Sequence, residues 1–203
     1  MFEGNQATER KFKAIAENYD VIHLAMHTII DNKNPMYSKL AFVDVRDSTE
    51  DGLLNTHEIY NMNFKAELAV LSSCSSGDGQ MYKGEGVISL ARGFSYAGCK
   101  SIVMSLWEVE DESSVKIMSY YYRELKTGKS KNEALHDAKL KFLKEAGPVK
   151  AHPYFWSTFI GIGDQAPLFR ERHNTPYIIS AIILFLMIPV VIVIRRKKQK
   201  NIS

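Results

Sequence analysis

The chain predicts an α/β fold with a mainly parallel sheet and helices on both faces. Three observations lead there. Short apolar, β-rich runs (21–27, 68–73, 101–106) alternate with longer stretches whose apolar residues recur at helical spacing. The runs are nearly continuous in hydrophobicity, as strands covered on both faces must be. Each of the first two stops abruptly at a reactive side chain, His27 or Cys74, and the second is followed by the turn-forming Ser75-Ser-Gly-Asp-Gly79.

In chain order, residues 6–18 read as an amphipathic helix with Phe12, Ile15 and Ala16 on one face and Asn18 as a stop. A strand follows at Val21–His27. Leu40–Val45 reads as a short strand, and Thr56 is placed to cap a short helix around His57–Tyr60. The buried strand Leu68–Ser73 leads to Cys74. From Gly84, the residues Val87, Ile88, Leu90, Ala91, Phe94 and Ala97 share one helical face that ends at Gly98, the expected left-handed stop. The strand Ser101–Leu106 is next. Val115, Met118, Tyr122 and Leu125 mark a helix closing at Gly128, in which Tyr120-Tyr-Tyr122 forms an amphipathic face with Tyr122 inward. Ser130 and Glu133 make a capping box opening a further helix, with Leu135, Ala138 and Phe142 inward. Phe155–Gly161 reads as a last strand, with His152-Pro-Tyr-Phe-Trp156 packing it against the sheet. About four core strands preceded by a helix make the sheet short on its N-terminal side, so elements upstream of Met1 are expected.

Composition sets limits on function. With 45% hydrophobic and 24% charged residues, 203 residues suffice for one ordinary domain with a sizeable core. Much of the net charge of +3 lies in Arg195, Arg196, Lys197, Lys198 and Lys200, which leaves no basic stripe for nucleic acid. Two cysteines, Cys74 and Cys99, rule out a disulfide framework. They fall at opposite edges of a parallel sheet, which argues against a bridge between them. No cofactor or metal is expected. Gly84-Glu-Gly86 resembles a phosphate loop only superficially, because the GK[ST] ending is missing.

Residues 177–194 carry no charge. As a helix they would extend about 27 Å, close to the hydrocarbon thickness of a bilayer, so this run is expected to be a single membrane span. Pro189 is tolerable there. The expected organisation is a domain over 1–168, a linker 169–176, the span 177–194 and a basic tail 195–203. The tail outweighs Arg170 and Arg172, so the positive-inside rule puts the C-terminus in the cytoplasm and the domain outside. The opening Met1-Phe-Glu-Gly-Asn-Gln carries no export signal, and the alternative is a cytoplasmic domain.

Ligands of a doubly wound sheet bind beyond the carboxyl ends of its strands, where His27 and Cys74 both stand. A free thiol has a pKa of about 8.5, so hydrolysis at neutral pH needs an imidazole close by to favour the thiolate and later to protonate the leaving group. His23 alternates with the strand and reads as a packing residue, and Cys99 as a buried bystander.

The series Asp20-Val-Ile-His-Leu-Ala-Met-His27, Asp51-Gly-Leu-Leu-Asn-Thr-His-Glu-Ile-Tyr60, Leu68-Ala-Val-Leu-Ser-Ser-Cys-Ser-Ser-Gly77, Gly84–Gly98, Ser105-Leu-Trp-Glu-Val-Glu-Asp111 and His152–Phe159 resembles the CHAT domain. These caspase-like modules usually follow tetratricopeptide repeats. The resemblance implies a three-layer α/β/α sandwich of the caspase and separase type and a cysteine peptidase. His27 would be the general base and Cys74 the nucleophile. Their spacing agrees with the roughly 50 residues of caspases. Backbone N–H groups of Thr28 and Cys74 would form the oxyanion hole, although Thr28 stands where the family usually has glycine. Trp107, Glu110 and Asp111 would border a substrate pocket suited to Arg or Lys. The competing role of Asp111 is to favour the start of the next helix. Partners implied are a protein or peptide substrate, an upstream repeat region or regulatory protein, and a membrane through 177–194. Two other readings stay open: a non-catalytic scaffold or signalling module that acts by binding, and an acyl or thioester hydrolase using the same pair.

Overall fold

The computed structural model describes residues 2–44, 50–72, 74–75, 85–108 and 110–169. The order is α1 (Glu9–Ile15), β1 (Val21–Leu24), β2 (His27–Ile29), β3 (Lys39–Ala41), β4 (Leu53–Asn55), α2 (Thr56–Ile59), β5 (Leu68–Leu71), β6 (Cys74–Ser75), α3 (Glu85–Tyr96), β7 (Ser101–Ser105), α4 (Asp111–Leu125), α5 (Lys131–Glu145) and β8 (Phe159–Gly163).

The first sheet runs β1-β5-β7-β8. The first three strands are parallel, and β8 closes the edge antiparallel to β7. Every residue of β5 and β7 is buried, as their uninterrupted apolar sequences require. Strand alternation divides the core in two. Ile22, Leu24, Ala69, Leu71, Ile102 and Met104 pack with Ala16, Leu90 and Phe94, while Leu68, Val70 and Val103 pack with Ile117, Tyr121, Leu135 and Phe142. The expected α/β architecture with helices on both faces is therefore present.

A second four-stranded sheet, β4-β3-β2-β6, was not expected. The predicted strand Val21–His27 breaks after Leu24, and His27 begins β2, which joins this second sheet. The physical reason is pairing: the antiparallel strands β3 and β4 give β2 a new neighbour beyond the end of the first ladder. The strand expected at 40–45 covers Lys39–Ala41, and residues 45–49 lie outside the described residues.

Local signals held to different degrees. Ser130 caps α5: its hydroxyl accepts from Glu133 N–H at 3.3 Å, and Glu133 Oε2 accepts from Ser130 N–H at 3.0 Å. At α2 the cap is Asn55 rather than Thr56. Asn55 N–H donates to Glu58 Oε2 at 2.9 Å, while the Thr56 hydroxyl donates to the Ser38 carbonyl at 2.8 Å. On α4 the buried face follows Ile117, Tyr121 and Leu125 at i, i+4 spacing, so Val115 is 69% exposed and Tyr121, not Tyr122, is fully buried. The last strand begins at Phe159, because Pro153 opens a short 3-10 turn over Pro153–Phe155. Gly98 has φ 111°, and a Cβ there would lie 2.4 Å from the Phe64 carbonyl oxygen.

Among the described residues no helix is long and apolar enough to cross a membrane. The run 177–194 lies outside the described residues, as do Ser76 and Gly77 of the glycine-rich turn.

Candidate active site

β1 and β5 leave the first sheet at the same height. Ser72 N–H donates to the Leu24 carbonyl at 3.0 Å, the last rung before both chains pass into the second sheet. There β2 and β6 pair in parallel with His27 opposite Cys74 and Thr28 opposite Ser75. Adjacent strands are spaced about 4.8 Å apart, so the backbones of the two candidate residues are immediate neighbours. His27 is exposed, while Thr28 is buried and has β3 on its other side, opposite Leu40. Sequence separation alone gave the pair no register, and the ladder supplies it.

His23 takes no part in that pairing. Its Nδ1 lies 3.0 Å from the Tyr122 hydroxyl, with ring centroids 5.6 Å apart. The residue keeps accessible surface, yet protein packed around the ring disfavours the imidazolium and lowers its pKa. Cys99 is buried and free, and burial pushes its thiol up to about 12. A thiol so raised is a poor nucleophile at neutral pH.

The proposed pocket residues follow β7, the neighbour of β5. Trp107 is 36% exposed, and its indole N–H donates to the Tyr154 carbonyl at 3.0 Å. Thr158, fully buried, holds the turn: its hydroxyl oxygen accepts from Leu106 N–H at 3.1 Å and Trp107 N–H at 3.2 Å, and the hydroxyl donates to the Trp107 carbonyl at 3.1 Å. Glu110 is not an open acidic wall. Lys150 Nζ lies 3.1 Å from its carboxylate and the Ser113 hydroxyl donates to it at 2.9 Å, and these contacts lower its pKa. Lys150 also pairs with Glu112 at 2.5 Å. Asp111 begins α4, where a carboxylate favours the helix dipole. Thr158 and Lys150 escaped the sequence reading because they act across more than 35 positions, with no local pattern to mark them.

A carboxylate cluster was also missed. Glu9, Glu50 and Glu58 bring oxygens within 4.8 Å of one another, a grouping capable in principle of holding a cation. Its centre is occupied by Lys13, whose Nζ lies 2.6 Å from Glu9 and 2.9 Å from both Glu50 and Glu58. Burial, only partly offset by Lys13, pushes Glu9 up. Burial works against ionising Glu58 as well, but hydrogen bonds from Lys13 and Asn55 outweigh it and bring Glu58 down to about 2.

A family model described as "CHAT domain" matches residues 1–164. Tetratricopeptide repeat protein 28 of Homo sapiens is 25% identical over 196 residues, an alignment covering 81% of this chain and 8% of that protein. The Mus musculus protein of the same name is 24% identical over 196 residues with the same coverage. The chain thus spans less than a tenth of the length of these relatives.

Proposed function

The chain belongs to the CHAT domain family, and on that premise we propose that it is a caspase-like cysteine peptidase module, acting in a regulated signalling context. The register of His27 opposite Cys74 is the observation that carries this reading. His27 takes the Cys74 thiol proton, and the thiolate attacks a peptide carbonyl carbon. Backbone N–H groups of Thr28 and Cys74 receive the oxyanion. The C–N bond then breaks as His27 returns the proton to the departing amine, leaving a thioester that water hydrolyses with His27 as base. No cofactor or metal takes part in these steps.

Substrate choice rests on the segment after β7. A preference for Arg or Lys would draw on the approach past Trp107, since Lys150 already compensates Glu110. Cleavage after basic residues is therefore the narrower part of the proposal. The relatives are named for tetratricopeptide repeats, and we extend that to this chain as a repeat-bearing or regulatory polypeptide partner. On sequence alone, 177–194 is proposed as a single-pass membrane anchor. The stronger basic flank at its C-terminal end favours an extracytoplasmic domain.

The test compares Cys74→Ala with Cys99→Ala, using a thiol-directed probe and a panel of Arg and Lys peptides. Labelling and cleavage should vanish in Cys74→Ala and persist in Cys99→Ala. The reverse pattern sinks the assignment. One observation favours binding without catalysis as the second reading: Thr28 sits in a ladder flanked on both sides, so its N–H lies among neighbouring strands. Intact His27 and Cys74 with no turnover of any peptide, alongside a stable partner, would support that reading.

A further inference from the structure

Three carboxylates converge on one ammonium beside the second sheet. Glu9 lies on α1, Glu58 on α2, and Glu50 in the segment leading to β4. Their oxygens lie within 4.8 Å of one another. Oxygens bound to one calcium ion, each about 2.3–2.6 Å from it, are at most about 5 Å apart, so these three reach a common ion as they stand. The point they share is marked by Lys13 Nζ, 2.6 Å from Glu9 and 2.9 Å from both Glu50 and Glu58. Those distances exceed calcium–oxygen bonds by only about 0.3 Å.

The lysine fills this place incompletely. An ammonium has three N–H donors, and Lys13 contacts one oxygen of each carboxylate. Glu9 is 2% exposed, and its Oε2 is buried with no hydrogen-bond partner. The Glu50 carboxylate stands beside it and adds repulsion. A buried carboxylate oxygen left unmet is costly, and one ammonium is too little positive charge for three ionised carboxylates.

We propose that Glu9, Glu50 and Glu58 form a calcium site, in which the ion takes the position of Lys13 Nζ and Glu9 binds through both oxygens. Calcium accepts bidentate carboxylates, so Glu9 Oε2 gains the partner that a single N–H does not provide. Glu58 is already oriented for this: its Oε2 accepts from Asn55 N–H and Nδ2 at 2.9 Å, which leaves Oε1 for the ion. Lys13 is 26% exposed and turns out to solvent, while waters complete the coordination on the side where Glu50 and Glu58 are 26% and 30% exposed. Magnesium fits less well, because it demands near-octahedral geometry at about 2.0–2.1 Å and keeps several of its waters. The bound ion joins α1 to the β4–α2 corner of the second sheet. None of this depends on the peptidase reading.

The probe is calcium chloride added to the 203-residue chain, against magnesium chloride and sodium chloride at matched ionic strength. Calcium at about 1–10 mM should raise the thermal midpoint, and the other two salts should not. Amine-directed acylation, read residue by residue by mass spectrometry, should accelerate at Lys13 and stay constant at the other lysines. Lys13→Met removes the competing ammonium and should bind calcium at least about tenfold more tightly than the parent in calorimetry. Glu9→Gln should abolish binding in either background. Should Lys13→Met not fold alone, calcium should restore its cooperative melt. Acylation of Lys13 that calcium leaves unchanged overturns the proposal, as does calcium binding that survives Glu9→Gln. Equal midpoint shifts with calcium and magnesium reduce the effect to screening and overturn it too.

Discussion

Glu58 and Glu9 face the same ammonium, that of Lys13, and respond to pH with opposite signs. Glu58 is held at about 2 against an ordinary 4.5. Its contribution is present above the ordinary value and is lost as pH falls from 4.5 toward about 2. Glu9 is pushed the other way by burial, so the folded chain holds that proton more tightly than the unfolded one. Its contribution is present below the ordinary value and declines as pH rises through the folded one. Thermal melts across the acid range should show Glu58→Gln flattening the loss at low pH and Glu9→Gln flattening the decline above about 4.5. An unchanged acid limb in Glu58→Gln would remove Lys13 from the account. The sequence marked His27 and Cys74 because each ends an apolar run at a polar atom. It gave no sign of Lys13, whose partners lie up to 45 positions away.

At the scale of elements, two junctions govern how the pocket segment is held. Thr158→Val keeps the shape of the side chain but removes the oxygen that Trp107 N–H reaches, while Leu106 N–H keeps its bond to the Thr158 carbonyl at 3.0 Å. We expect a stability loss of about 0.5–1.5 kcal/mol in chemical denaturation, accompanied by faster amide exchange at Trp107 and little change at α5. Gly98→Ala would put its Cβ 2.4 Å from the Phe64 carbonyl oxygen and must move either that carbonyl or its own φ of 111°, and should cost more than about 2 kcal/mol. α5 could be read in advance because its capping box is written within four residues, Ser130 to Glu133. The break between β1 and β2 could not be. Apolar character continues through Ala25 and Met26, so periodicity sees one strand where pairing partners make two. The onset of β8 was misplaced for the reverse reason: apolar Tyr154 and Phe155 look like strand, but Pro153 commits them to a turn.

Across the molecule, the two sheets differ in how they are held, and the candidate pair sits in the less protected one. In the first sheet, β5 and β7 are buried along their whole length between helices on both faces. That order was legible from strand and helix alternation, because a parallel strand needs a crossover. The second sheet is made of strands of two or three residues, and only its register reveals it. It rests on few fully buried side chains, among them Leu40 and Leu54, which stand opposite each other in β3 and β4. Leu40 is also opposite Thr28, the neighbour of His27, so the Leu40–Leu54 contact supports β2 through its flanking strand. Leu54→Ala should cost about 2–5 kcal/mol, but the loss should be unevenly distributed. Leu40 and Leu54 share a buried cluster with Ile22, Leu71 and Met104, but amides of β2 to β4 should still lose protection from hydrogen exchange before those of β5 and β7, because the first sheet keeps the core on its other face, where Leu68, Val70 and Val103 pack against α4 and α5. Val103→Ala, in the centre of the first sheet, should instead lower protection throughout. If Leu54→Ala reduced protection equally in both sheets, they would be one cooperative unit. His27 would then be held as firmly as the central strands.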